Sequence, residues 1–284
     1  VPCGDEQSAS VHGPVPFARE DARVDDGYDP LFLGPRVPLP RNGGDTAQLD
    51  YPRFTVVLDV ERRLAAATAV NIDGAQLLDL PRAGDWQLDQ RVPPQHQTGP
   101  EVYARNDLDR GHLVRRRDPG WGDAVTARDA MEATFRYPNA APQAAGFNQS
   151  KNLWLGIEDH VLAYAETTGQ RLSVFTAPVL DAADPPYRGI RIPLRFWKVA
   201  AWATPPDGLN AAGFVLDQSE LIDVREGLTG VPPLASFRTF QVPLAEVEAV
   251  AGISLGPLVA ADVLPTTARA GGWRELRRPD DIRV

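Results

Sequence analysis

Cysteine is nearly missing from this 284-residue chain: there is one, Cys3, so no disulfide can close within it and no cysteine cluster can hold zinc. A single thiol suits a reducing compartment. Long apolar runs are also lacking, and none approaches the roughly 18 residues that a membrane-spanning helix requires. The first residues lack the basic-then-apolar layout of a signal peptide, so a soluble chain is expected, cytoplasmic or exported with its leader removed. Positive charge is not in excess. The formal charge is -9, which excludes a protein coated in basic residues and obliges any polyanionic partner to meet a local basic patch. There is no Gly-rich phosphate loop, no Gly-x-Ser-x-Gly nucleophile elbow and no pair of histidines at metal-ligand spacing.

What remains is ordinary globular material, 43% hydrophobic and 24% charged, enough for one large domain or two smaller ones. Residues 1–50 are rich in Gly, Pro and Asp with no sustained period and read as an extended arm, with the domain proper over 51–284. From Phe54 the pattern changes. Phe54 to Val60 and Leu64 to Ile72 are β-prone runs, and Asp73-Gly74 marks a turn. Residues 75–105 are broken by Pro81, Gly84, Pro93, Pro94, Gly99 and Pro100. Thr126 to Asp129 resembles a helix start ahead of Ala130 to Phe135. A stronger helix is predicted where Leu153, Trp154, Ile157, Val161, Leu162 and Ala165 recur at helical spacing before Gly169. Leu172 to Leu180, Ile192 to Thr204 and Ala212 to Leu216 read as strands, and Pro243 to Val250 as a helix stopped by Gly252. Strands in runs, rather than each followed by a helix, predict an α+β fold.

The densest chemical signal is Asn106-Asp-Leu-Asp-Arg-Gly-His112, followed by Arg115, Arg116 and Arg117. An imidazole in a turn-to-strand setting can take a proton from water near neutral pH, because its ordinary pKa is about 6.5. From Arg105 to Asp118 five arginines face three aspartates, a local charge of +2 in an acidic chain. A solvated charged strand is the plain alternative for Arg115 to Arg117. A second element runs from Tyr137-Pro-Asn139 through Pro142-Gln143 and Asn148-Gln149 to Asn152 and Glu158. An amide oxygen plus a carboxylate holding a bound water suits magnesium, although an isolated Asn is more often a cap and a helical Glu more often solvated. His12, His96 and His160 read as surface residues. The tryptophans and phenylalanines suit core packing, with Trp121 open to a place on a groove rim.

Asp109-Arg110-Gly111-His112 followed in order by Asn139, Pro142-Gln143, Asn148-Gln149, Trp154 and Glu158 resembles the DNA/RNA non-specific endonuclease family, the endonuclease G-like nucleases. The stretches Phe54 to Gly74, Ser173 to Pro178 and Ile192 to Val199 resemble the same family in the same order. The resemblance implies a ββα-metal finger within a central mixed or antiparallel sheet flanked by helices. It also implies that His112 is the general base, that Asn148 binds Mg2+ (or Mn2+) directly and that Glu158 acts through a water of its shell. DNA and RNA would be cut without sequence preference, leaving 5′-phosphate ends. Arg110 would contact phosphate, with Arg82 as a second catalytic arginine, Arg91 its rival, and Arg115 and Arg116 along the substrate. Asp109, Asn139 and Asn152 would give structural support. A homodimer, an inhibitor or a delivery module are the protein partners this reading admits. Two other functions compete: a catalytically silent nuclease-like binding module, and a phosphodiesterase acting on small nucleotides.

Overall fold

The β-prone runs become the centre of the molecule in a computed structural model, which describes residues 27–144, 154–204, 206, 208–222, 238–265, 272–277 and 281–283, without the side chains of 154–160. In chain order the strands are β1 (Thr46–Tyr51), β2 (Phe54–Asp59), β3 (Leu64–Asp73), β4 (Leu108–His112), β5 (Ala140–Ala144) and β6 (Arg171–Pro178). They continue with β7 (Pro186–Tyr187), β8 (Ile190–Arg191), β9 (Arg195–Thr204), β10 (Gly208–Asp217), β11 (Arg238–Val242) and β12 (Arg274–Leu276). The helices are α1 (Pro100–Tyr103), α2 (Ala124–Ala133), α3 (Trp154–Thr168) and α4 (Leu244–Ala251). Eight strands form one sheet in the order β1-β2-β3-β6-β9-β10-β11-β12, and every pairing in it is antiparallel.

Both faces of this sheet are covered, so its strands read as continuous apolar runs instead of alternating apolar and polar residues. The period of two survives in which layer each side chain meets. On β6, Leu172 and Val174 join one core while Phe175 and Ala177 join the other; on β9, Phe196 and Ala200 oppose Trp197 and Val199 in the same way. Trp197 and Phe175 are completely buried, and each contributes on the order of 2–3 kcal/mol of transfer free energy.

The first core is closed by Leu113, Val114, Ala141 and Ala144 beside β4 and β5, and by Leu162 and Ala165 of α3. The second is closed by Leu244 and Val247 of α4 and by Leu33 and Val37. Part of the segment expected as an arm therefore wraps the second face, and its last residues form β1. The approach of α3 to the sheet depends on Gly74, where a Cβ would lie 1.9 Å from the carbonyl oxygen of Ala165. Gly169, at φ +66, ends α3 in the left-handed conformation that the sequence predicts.

Several boundaries differ from expectation. Helix α2 starts at Ala124, not at Thr126, because Asp123 is the N-cap and its carboxylate accepts from the amides of Val125 and Thr126. Strand β9 starts at Arg195 and not at Ile192, since the carbonyls of Pro193 and Leu194 are taken by the side chain and backbone of Gln218. Strand β10 extends well beyond Ala212 to Leu216, and β1, β5, β11 and β12 carry too weak a pattern to be predicted.

Candidate active site

Strands β4 and β5 form a separate two-stranded antiparallel ribbon in which Arg110 lies opposite Pro142 and His112 opposite Ala140. Alternation along β4 puts Arg110 and His112 on one face and Asp109 and Gly111 on the other. Gly111 is needed there: a Cβ would sit 2.1 Å from the Cδ of Gln143, whose side chain is only 2% exposed and crosses over the strand.

Asn139 fixes the exit from β4. Its side chain is fully buried; Oδ1 accepts from the amide of Val114 at 2.9 Å, and Nδ2 donates to the carbonyls of Val114 and Thr134, both at 2.9 Å. The backbone carbonyl of Asn139 also accepts from Leu113 at 3.0 Å. The two residues after His112 are thus tied to the end of α2 and the start of β5, which leaves the imidazole little freedom to shift.

The irregular stretch 77–93 lies over this face. The amide of Gln87 donates to Phe135 at 3.0 Å, its carbonyl accepts from Tyr137 at 2.9 Å, and its side-chain oxygen accepts from Arg136 at 2.7 Å. That docking brings the Trp86 ring to 4.6 Å from the imidazole of His112, while Phe135 meets the same imidazole edge-on at 4.9 Å. The guanidinium of Arg110 lies 5.8 Å from the Trp86 ring, and that of Arg82 lies 5.3 Å from Phe135. Both arginines are solvent-exposed.

His112 is half-buried, and its Nε2 is shut from solvent with no hydrogen-bond partner among the described residues. Burial, and then the positive charges of Arg82, Arg115, Arg116 and Arg110, push its pKa down from 6.5 to about 3. The imidazole is neutral at physiological pH and sits in a field that attracts anions. A neutral ring with an unsatisfied nitrogen can accept a proton or a hydrogen bond from a small oxygen ligand, and exposed guanidinium groups beside it can hold a phosphate.

Arg115, Arg116 and Arg117 are half-buried, not a fully solvated face. Arg116 donates to the carbonyl of Leu80 at 3.0 Å, which fastens the 77–93 stretch from below, and Arg117 pairs with Glu166 at 3.7 Å. Of the two candidates upstream, Arg82 is the one brought beside His112. Arg91 is held elsewhere, paired with Asp89 at 2.8 Å, donating to the carbonyl of Asp50 and stacked 4.6 Å from the Tyr51 ring. Asp109 is half-buried on the opposite face of β4. Asn148 and Asn152 lie outside the described residues, and Glu158 is placed in α3 by its backbone alone, as is His160. Among the described residues no three His, Cys, Asp or Glu side chains gather as a metal cluster.

Trp121 is half-buried and packed: its Nε1 donates to the carbonyl of Asn71 at 2.8 Å, Arg53 covers its ring at 4.0 Å and Phe32 packs at 5.6 Å. His96 is half-buried, not a free surface residue, with Nδ1 3.3 Å from the carbonyl of Val60. Trp86 and Phe135 frame the imidazole, and neither carries a site signal in the sequence: Trp86 is an aromatic residue four positions after Arg82 in a stretch full of turns, and Phe135 lies just beyond a helix.

A ribbon that presents a histidine among arginines, followed along the chain by a helix and set against a large antiparallel sheet, is the outline of a ββα nuclease fold. The chain belongs to the DNA/RNA non-specific endonuclease family, which it matches over residues 36–262. A chain in the crystal structure of the EndoG/EndoGI complex, described as showing the mechanism of EndoG inhibition, has a similar fold. The TM-score is 0.57 at 19% identity, covering 74% of this chain and 86% of that one. The uncharacterized protein y4fB of Sinorhizobium fredii (strain NBRC 101917 / NGR234) is 37% identical over an alignment of 274 positions. That alignment takes in 86% of this chain and 41% of y4fB, so the chain spans less than half the length of that relative.

Proposed function

We propose that the chain is a metal-dependent endonuclease that hydrolyses phosphodiester bonds of DNA and RNA, reading backbone and not bases, and leaves 5′-phosphate ends. The observation that carries this reading is a neutral imidazole, His112, with an unsatisfied ring nitrogen, surrounded by Arg82, Arg110, Arg115 and Arg116. His112 takes the proton from the attacking water. Arg110 and Arg82, both exposed, hold the scissile phosphate and the charge that builds on it. Arg115 and Arg116 extend the positive field along the strand.

The donor set expected beside His112 is sparse and oxygen-based, in keeping with magnesium or manganese and not zinc. Asn148 would hold the ion, with Glu158 acting through a bound water. When bound, the ion supplies Lewis-acid stabilisation of the phosphoryl oxygens and of the departing 3′ oxygen. The acidic chain holds nucleic acid through a small patch, so binding should be weak and sensitive to salt. An inhibitor protein is a fitting partner, by analogy with the complex of the structural neighbour.

The test is a cleavage assay on purified protein with plasmid DNA, RNA and a small chromogenic diester in one buffer, with EDTA and with metal restored. Cleavage of both nucleic acids, abolished by EDTA and restored by Mg2+ or Mn2+, supports the reading. Cleavage of the small diester alone favours the nucleotide phosphodiesterase, and no cleavage of any substrate favours the silent binding module.

A further inference from the structure

Strand geometry places Arg110 and His112 side by side on one face of β4, and a single aromatic ring lies across both. Trp86 stands 4.6 Å from the His112 imidazole at a tilt of 46°, and the Arg110 guanidinium lies 5.8 Å from its centroid. Phe135 closes the assembly, meeting Trp86 edge-on at 5.5 Å and His112 edge-on at 4.9 Å. Tyr137 backs Trp86 at 5.7 Å. Trp86 is half-buried, so one part of the ring packs on these neighbours while another meets solvent at the site. Its backbone position is set by the neighbouring Gln87, whose amide and carbonyl both bond to the chain that leads into β5.

The geometry points to Trp86 as a positioning residue that holds the base and the phosphate-contacting arginine in fixed relation to each other. Arg110 is exposed, and an exposed arginine samples many rotamers unless a neighbour restricts it. Its guanidinium makes no hydrogen bond among the described residues, so the Trp86 face 5.8 Å away is the contact that restricts it, by cation–π attraction. The Nε2 of His112 has no hydrogen-bond partner among the described residues, and the rings of Trp86 and Phe135 stand against the imidazole at 4.6 and 4.9 Å. A displacement of about 1 Å at a reacting centre can cost on the order of 10²-fold in rate. Trp86 therefore acts through His112 and Arg110, without reacting itself. The same stretch carries Arg82 four residues earlier, so one docked segment delivers both an arginine and the ring that aligns the other.

This inference rests on His112 being the base, and its test keeps the two separable. Trp86→Ala and Trp86→Phe are compared with the unaltered protein by steady-state kinetics on plasmid DNA with saturating Mg2+, and by NMR of the His112 imidazole. A ring this close shifts the imidazole C–H resonances by its ring current. Trp86→Ala should lower kcat by roughly 10- to 10²-fold, more than it raises KM, and move the His112 resonances towards the positions of an unstacked histidine. Trp86→Phe, which keeps an aromatic wall, should recover most of kcat and part of the shift. Should Trp86→Ala not fold, Trp86→Leu, which keeps bulk but no ring, takes its place. Unmoved His112 resonances in a folded variant, or Trp86→Phe failing as badly as Trp86→Leu, would overturn the proposal. A His112→Ala protein that keeps full activity would instead overturn the base assignment, leaving the NMR contact to be judged alone.

Discussion

Replacing Asn139 by alanine should damage both stability and turnover, and the structure lets the size be worked out. The side chain makes three hydrogen bonds of 2.9 Å, all to backbone groups, and is fully buried, so water cannot take its place. Removing it strands the amide and carbonyl of Val114 and the carbonyl of Thr134. A buried backbone group left without a partner costs about 1–3 kcal/mol, and taking the lower part of that range for carbonyls gives roughly 3–5 kcal/mol in all. That is a large share of the ~5–15 kcal/mol by which domains are stable. For a chain of this length each kcal/mol moves the melting temperature by about 2–4 °C, so a drop on the order of 10 °C is expected. Turnover should fall as well, since Val114 is two residues from His112. Asn139→Asp keeps the acceptor for Val114 but turns a second acceptor oxygen on the carbonyls of Val114 and Thr134 in a fully buried site, and should destabilise at least as much as the alanine. Thermal unfolding by circular dichroism, with plasmid cleavage at a temperature where the variant is folded, measures both effects. An Asn139→Ala protein melting within about 2 °C of the original would refute the reasoning.

Two further outcomes follow from the same face of the molecule. His112 titrates near 6.5 when unfolded and about 3 when folded, so between those values the unfolded chain binds more protons. Its contribution to stability is complete above pH 6.5 and is lost as the pH falls towards 3. Denaturant unfolding at pH 7 and pH 4.5 should show a smaller loss for His112→Gln than for the original, and the acid limb of kcat/KM, which reports the free protein, should lie well below 6.5; an inflection at 6.5 would contradict the burial of the imidazole. Gly111→Ala should destabilise by about 1–3 kcal/mol, because the added methyl meets a Gln143 side chain with no room to withdraw. Urea unfolding with an unchanged midpoint would show that Gln143 can move.

Much of this architecture is legible from residue order. β-branched runs mark β2 and β3, the helical recurrence of Leu162 and Ala165 with Gly169 beyond marks α3, and Leu244 and Val247 with Gly252 mark α4. Strand β5 is hidden because Ala-Ala-Pro-Gln-Ala has no β-branched residue and contains a proline, tolerable only because the ribbon is two strands wide. Strands β11 and β12 are short and joined to the sheet by pairing that no local pattern announces. Helix α2 is misplaced by a few residues because Asp123 outcompetes Thr126 as the cap.

The site divides along the same line. Residues close together in the chain, Asp109 to His112, draw attention through their spacing, and Asn139 stands out only through its family context. Which of Arg82 and Arg91 lies near His112 is visible only in three dimensions, where Asp89 and Tyr51 hold Arg91 and Arg82 lies over Phe135. Trp86 escapes notice for a related reason: its importance lies in what a turn-rich stretch is docked against, and the anchoring bonds run through the backbone of Gln87, which any residue could provide.

The central claim is that the His112 imidazole moves a proton in phosphodiester hydrolysis. Plasmid and RNA cleavage by His112→Ala, with saturating Mg2+ and a circular dichroism spectrum matching the original, tests it most directly. Turnover should fall by roughly 10²- to 10⁴-fold with the fold intact; a folded His112→Ala protein that cleaves within about threefold of the original rate would contradict it.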